Sequence, residues 1–298
     1  MDFKNAQELL ELCHTENMSI SEIMKKRECI LGETTEAAIY DQMNHSLQIM
    51  RDSVASPIQS PKKSIGGLIG GEAQLVNQHR INGNSICGSV LSKAISYSMA
   101  VLETNTTMGL IVAAPTAGSS GVIPGLLLAL QEEYHLEDRE IINALFNASA
   151  IGYLAMRNAT VAGAVGGCQA EVGVASAMAA SAAVELMGGT PDQCLHAATS
   201  VLMNFLGLVC DPIGGLVECP CQGRNAAGVA VALTAAELSL SGIKQLIPFD
   251  EMLQTMYQIG RQIPPGLRET ALGGCAATPT GKNWAVKSVL NKVQEIQI

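Results

Sequence analysis

The sequence predicts an all-α protein, and three observations carry that prediction. Alanine-rich segments have helical apolar spacing, alternating β-branched runs are absent, and helix-start residues stand ahead of the apolar stretches. Alanine is the strongest helix former, and apolar residues recurring three and four apart mark one face of a helix. Taken in order, residues 4–13 (KNAQELLELC) and 19–51 read as helices. Ser19 serves as N-cap, with Glu22 three residues later completing a capping box. The stretch SPIQSPKKSIGG, 56–67, reads as a linker between an N-terminal helical segment, 1–55, and a catalytic helical domain, 68–298, the two packing as one unit. An apolar segment at 86–102 and a glycine-rich turn at 115–121 follow. Helices are then expected near 121–134, 138–156, 169–187, 191–208, 225–240 and 249–259. Asp192, just after Pro191, suits the first turn of its helix, where a negative charge meets the positive end of the dipole.

The chain has 298 residues, 48% of them hydrophobic and 15% charged, enough for one sizeable core. Its mean hydropathy of +0.24 raises the question of a membrane. Glu185 interrupts VGVASAMAASAAVELMGG, while Pro115 and Pro124 break 108–130, so no clean span of about 18 apolar residues accumulates. These segments read instead as buried helices, and small residues let one hydrophobic helix lie within a ring of others. The polar, acidic N-terminus has no signal-peptide pattern, which places the chain in the cytosol. Nine cysteines in a reducing compartment argue for thiol chemistry or metal binding rather than disulfides. A net charge of -9, with five tyrosines, four phenylalanines and one tryptophan, offers nucleic acid neither a basic groove nor a stacking platform.

The chemistry concentrates in cysteines. Cys168 in AVGGCQAEVGVA, then Cys210 and Cys221 in CDPIGGLVECPCQGRN, present three thiols from loops at helix ends. Cys219 and Cys221 form the one short pair, which is not the doubled knuckle of a zinc ribbon. Iron-sulfur clusters accept scattered cysteines that converge on one pocket. Glycines 166, 167, 214 and 215 supply backbone freedom and N–H groups for the sulfides. Ordinary buried thiols remain the alternative. The loop APTAGSSGVIPG, 114–125, enters a helix with Ser119 and Ser120 near its start, a setting for a substrate carboxylate or simply a turn and cap. Lys282 in TPTGKNW reads as a carboxylate-binding or a solvated lysine. His79, the least regular of the five histidines, is a candidate for proton transfer. Arg157 and Asn158 are candidates to reach an anionic group, and Arg224 and Asn225 to support the cysteines from behind.

Four motifs, GGCQAEVGVASAMAA, LGLVCDPIGGLVECPCQGRN, AAPTAGSSGVIPG and GGCAATPTGK, together resemble the alpha subunit of the iron-sulfur L-serine dehydratases over nearly the whole chain. The resemblance implies a helical catalytic domain with the cluster held by loops at helix ends. It implies a four-iron, four-sulfur (4Fe-4S) cluster without pyridoxal phosphate, and conversion of L-serine to pyruvate and ammonia. Cys168, Cys210 and Cys221 fall on the family's three ligand positions, leaving Cys219 a bystander. Single-chain members carry an N-terminal α/β domain with a serine-histidine-threonine motif missing here, which implies a separate beta subunit in a hetero-oligomer. Some members end in a cysteine that folds into the site, whereas this chain ends VQEIQI, implying water, a partner residue or substrate at the remaining iron. Two rivals stand beside this reading: an iron-sulfur L-cysteine desulfidase and a zinc-binding scaffold.

Overall fold

A computed structural model of the chain describes residues 1–285. Among the described residues the architecture is all-α, and the extended pairing is confined to one isolated bridge between Cys210 and Arg268. The helices are α1 (Ala6–Glu16), α2 (Ile20–Leu31), α3 (Glu36–Gln59), α4 (Glu72–Ile81), α5 (Gly88–Thr106), α6 (Val122–Tyr134) and α7 (Asp138–Asn158). They continue with α8 (Gly163–Gly166), α9 (Val174–Leu186), α10 (Pro191–Phe205), α11 (Cys221–Leu240), α12 (Phe249–Gln262) and α13 (Gly274–Ala277).

Local signals explain the starts. Ser19 and Glu22 form the expected capping box of α2, and Thr190 with Gln193 forms another ahead of Pro191 in α10. The Asp250 carboxylate, from α12, accepts from the backbone N–H groups of Ala6 at 2.9 Å and Gln7 at 3.1 Å, so a distant helix caps α1. Unpaired N–H groups in a first helical turn need such partners. The single helix expected over 19–51 is two: the chain breaks at Gly32 to Thr35, where Glu33 has a positive φ of 47°, and Thr35 caps a new helix. That helix continues through Pro57 to Gln59. Helix α4 was not anticipated because its apolar content is low, and packing against α5 and α3 sustains it.

Every residue of α9 from Val174 to Val184 is buried, and α7, α10, α11 and α6 pack against it. Alanine and serine make the close approach possible. Glu185, at its end, accepts from Asn147 Nδ2 at 2.6 Å and from the Ser21 backbone N–H at 3.3 Å, tying α2 and α7 to α9. No helix among the described residues is long and apolar enough to cross a membrane.

Candidate metal centre

Three helices begin at one place. The loop before α6, the turn before α9 and the loop before α11 meet there, and each delivers a motif singled out in the sequence. The positive ends of three helix dipoles therefore point toward a common region, an arrangement that favours thiolates and other anions.

Cys168 immediately precedes a π-helical turn, Gln169–Gly173. Such turns fit one more residue per turn than an α-helix and recur at functional sites. Glu171 lies within this turn and close to Cys168. Cys210 arrives from the loop after α10, and ligand atoms of Cys168, Glu171 and Cys210 all lie within 4.8 Å of one another. The Cys210 Sγ stands 3.6 Å from Glu171 Oε2. Cys221 opens α11 as its first residue. The three cysteines are 2, 3 and 6% exposed, so water has little access to their sulfurs.

The electrostatics are asymmetric. A hydrogen bond from Cys210, supported by the Arg224 guanidinium, holds the Cys168 thiol below the usual range despite burial. The same contact, with burial, pushes Cys210 up. Burial pushes Cys221 up. Glu171 is raised as well, because desolvation outweighs the hydrogen bond that Thr116 Oγ1 donates to its Oε1 at 3.0 Å.

Arg224 stands behind the sulfurs. Its guanidinium donates to the Val209 carbonyl at 2.9 Å and pairs with Asp211 at 2.7 Å. Burial disfavours charge on Asp211, yet the Cys275 N–H at 2.6 Å and Arg224 bring its carboxyl below the ordinary range. The Cys275 loop must pass very close to achieve this. Gly274, at φ +56°, would place a Cβ 2.1 Å from Asp211 Oδ2, so only glycine fits. Gly163 likewise leaves room at the centre: a Cβ there would lie 2.4 Å from Glu171 Oε2 and 3.1 Å from Cys210 Sγ.

Other sequence candidates have different surroundings. Asn225 fastens the 116–121 loop, accepting from the Gly121 N–H at 3.1 Å and donating to the Gly118 carbonyl at 2.8 Å. Ser119 and Ser120 are fully buried within that loop. Ser119 Oγ lies 3.1 Å from Thr116 Oγ1, and Ser120 donates to the Ala117 carbonyl at 2.8 Å, so both hydroxyls shape the turn. His79 is exposed on α4, outside the buried group, and Lys282 is exposed with its N–H held by the Thr278 carbonyl. Among the described residues Arg157 donates to Tyr153 Oη of its own helix, at 3.4 Å, and Asn158 donates to the Lys4 carbonyl of the N-terminal segment at 2.7 Å. The terminal VQEIQI lies outside the described residues.

Glu171 was missed by the sequence reading. The signal available was a carboxylate three residues after a glycine-flanked cysteine, a spacing that shares one helix face, but its meeting with Cys210 depends on the fold. Two further buried carboxylates also escaped notice. Glu218 accepts from Ser64 Oγ and the Gly66 N–H, both at 2.7 Å, and Glu103 accepts from the Gly71 and Ala73 N–H groups at 3.0 and 2.9 Å. Glu218 pins residues 64–68 against the loop before α11, Glu103 pins residues 71–73 against α5, and Gln222 of α11 donates to Glu103 at 2.9 Å.

Comparison with known proteins identifies the family. The family model "Serine dehydratase alpha chain" matches residues 15–276, which include every cysteine of the centre. The probable L-serine dehydratase alpha chain of Bacillus subtilis is 45% identical over 285 residues, covering 96% of this chain and 95% of that one. The L-serine dehydratase alpha chain of Peptoniphilus asaccharolyticus is 42% identical over 277 residues, covering 93% and 95%. An L-serine dehydratase of Helicobacter pylori is 35% identical over 286 residues, covering 93% of this chain but 62% of its own length. With that breadth of match, and with the family's motifs meeting at one buried centre, the chain belongs to the serine dehydratase alpha chain family.

Proposed function

We propose that this chain is the cytoplasmic catalytic alpha subunit of an L-serine ammonia-lyase, working with a separate beta subunit and a 4Fe-4S cluster held by Cys168, Cys210 and Cys221. The observation that carries the reading is the buried meeting of Cys168 and Cys210 with Glu171, at the start of the helices that also deliver Cys221. The donor set fits the group. Soft thiolates suit iron, the glycine at 163 leaves space, and Arg224 with three helix N-termini offsets the negative charge of thiolates and sulfides. The beta subunit is supported by the names of the Bacillus and Peptoniphilus relatives and by the greater length of the Helicobacter one.

Bound there, the cluster supplies a Lewis acid that makes the serine hydroxyl a better leaving group. The protein's own contribution is positional. Burial of the three cysteines excludes water, Thr116 orients Glu171, and Asp211 holds Arg224 in place behind Cys168. Loss of the Cα proton and of hydroxide from serine leaves aminoacrylate, which tautomerises to an imine and hydrolyses to pyruvate and ammonia.

The test is an anaerobic assay of the reconstituted alpha-beta complex with serine and with cysteine. Pyruvate and ammonia from serine, lost in air and restored by iron and reductant, is the expected outcome. Sulfide release from cysteine in preference would favour the desulfidase, and full deamination by iron-free protein would overturn the cluster reading. Stoichiometric zinc in anaerobically purified protein would support the scaffold.

A further inference from the structure

Three cysteines leave one iron of a four-iron cluster without a protein sulfur, and the structure places an oxygen donor beside two of them, Cys168 and Cys210. We propose that Glu171 is the protein ligand of that iron in the substrate-free enzyme, to be displaced when serine binds. This inference rests on the cluster reading above.

The argument begins with what each neighbouring polar group is already doing. Asp211 is committed to Arg224 and to the Cys275 N–H. The Thr116 hydroxyl donates to Glu171 Oε1, and Ser120 donates to its own turn. Glu171 Oε2 differs. Among the described residues the donor within its reach is the Cys210 thiol, at 3.6 Å, whose single hydrogen Cys168 also competes for. A cysteine bound to a metal is a thiolate and carries no hydrogen. Loading the centre therefore removes that hydrogen and leaves a half-buried carboxylate oxygen facing the sulfurs. Leaving such an oxygen unsatisfied is costly, and a metal ion satisfies it directly.

Geometry points the same way. A carboxylate oxygen of Glu171 lies within 4.8 Å of both the Cys168 and Cys210 sulfurs, and Oε2 itself is 3.6 Å from Cys210 Sγ, so a metal ligated by either sulfur is within the reach of this side chain. Thr116 fixes the far oxygen, which leaves the near one aimed at the centre. Glycine at 163 clears the space next to that oxygen, since any Cβ there would strike it. Cys168 and Glu171, three residues apart in a helical turn, come to one side, as positions i and i+3 do. A hard oxygen on one iron among soft sulfurs also suits exchange, because a carboxylate leaves iron more readily than a thiolate and gives way to the hydroxyl and carboxylate oxygens of serine.

The experiment compares wild type, Glu171→Gln, Glu171→Asp and Thr116→Val in the anaerobically reconstituted alpha-beta complex. The readouts are the iron-to-sulfide ratio, the Mössbauer spectrum of the unique iron, and the EPR signal of a three-iron cluster after measured oxidant. Glu171→Gln is expected to lose roughly one iron in four and to form the three-iron signal at lower oxidant. Glu171→Asp should fall between it and wild type. If Glu171→Gln keeps all its iron with an unchanged Mössbauer spectrum, the inference fails even if KM for serine rises, and Glu171 is a substrate contact. Should Glu171→Gln hold no cluster at all, Thr116→Val decides: selective loss of the same iron supports the assignment, and an unaltered cluster overturns it. Wild type without any cluster would instead bring down the proposed function and the inference together.

Discussion

Four cysteines near the centre have unlike environments. Cys168, Cys210 and Cys221 are buried, whereas Cys219 is partly exposed and contributes its carbonyl to the Ile213 N–H at 2.9 Å. Cys221 begins a helix, where its side chain is set by helical geometry. Cys219 belongs to the preceding turn. Changing Cys168, Cys210 or Cys221 to serine is therefore expected to abolish the sulfur-to-iron absorption and serine deamination together, while Cys219→Ser retains both. Visible spectra and iron analysis of the reconstituted proteins check this. A Cys219→Ser protein that cannot hold iron, beside a Cys221→Ser protein that can, would reverse the assignment.

Helix α6 lies against α5 through glycine, and that contact fixes where the 116–121 loop enters the centre. A Cβ at Gly125 would lie 2.8 Å from Ser98 Cβ and 2.9 Å from the Ala94 carbonyl oxygen. At Gly121 it would lie 2.1 Å from the Ser98 carbonyl oxygen. In an exposed helix, alanine would improve on glycine by about 1 kcal/mol. Here overpacking at a rigid backbone costs about 1 to 3 kcal/mol and wins. Gly125→Ala is expected to lower stability to urea by that net amount, with no gain, and to lower iron retention as the loop shifts. A stabilised Gly125→Ala protein would show that α5 and α6 have room to separate.

The N-terminal helices are joined to the rest at several polar points, and the pair of Arg51 with Asp138 is one whose carboxyl is shifted. Arg51 of α3 makes two hydrogen bonds to Asp138 at the start of α7, one of them from Nη1 to Oδ2 at 2.8 Å. This guanidinium holds the Asp138 carboxyl below its ordinary range. A depressed carboxylate contributes stability that is present above the unfolded value near 3.9 and is lost as pH falls through the lower folded value. The Asp138 side chain is 47% exposed, so solvent screening limits the contribution to about 0 to 1 kcal/mol. Asp138→Asn is expected to be less stable than wild type by that amount at pH 7 and nearly equal to it in strong acid. Urea denaturation across pH measures the difference, and a constant gap at all pH values would refute the linkage.

Local chemistry alone determined much of this protein. Alanine content and apolar spacing predicted an all-α chain, Ser19 with Glu22 marked a helix start, and α6, α7 and α12 lay close to where periodicity placed them, because each depends on contacts a few residues apart. The motifs likewise pointed to Cys168, Cys210 and Cys221. Only the tertiary structure decided the rest. Residues 32–35 break a pattern that reads as continuous, since a turn there lets α3 pack on α5. Glu171 met Cys210 from a loop 39 residues further along the chain, which periodicity cannot reveal. Asn225 proved to clasp a loop distant in sequence, and Asp211 to hold Arg224 through a glycine more than sixty residues away, as the numbers 211 and 274 record. Helices are encoded by neighbours along the chain, whereas a buried polar centre is encoded by partners that meet only when the core closes and every desolvated group must find one.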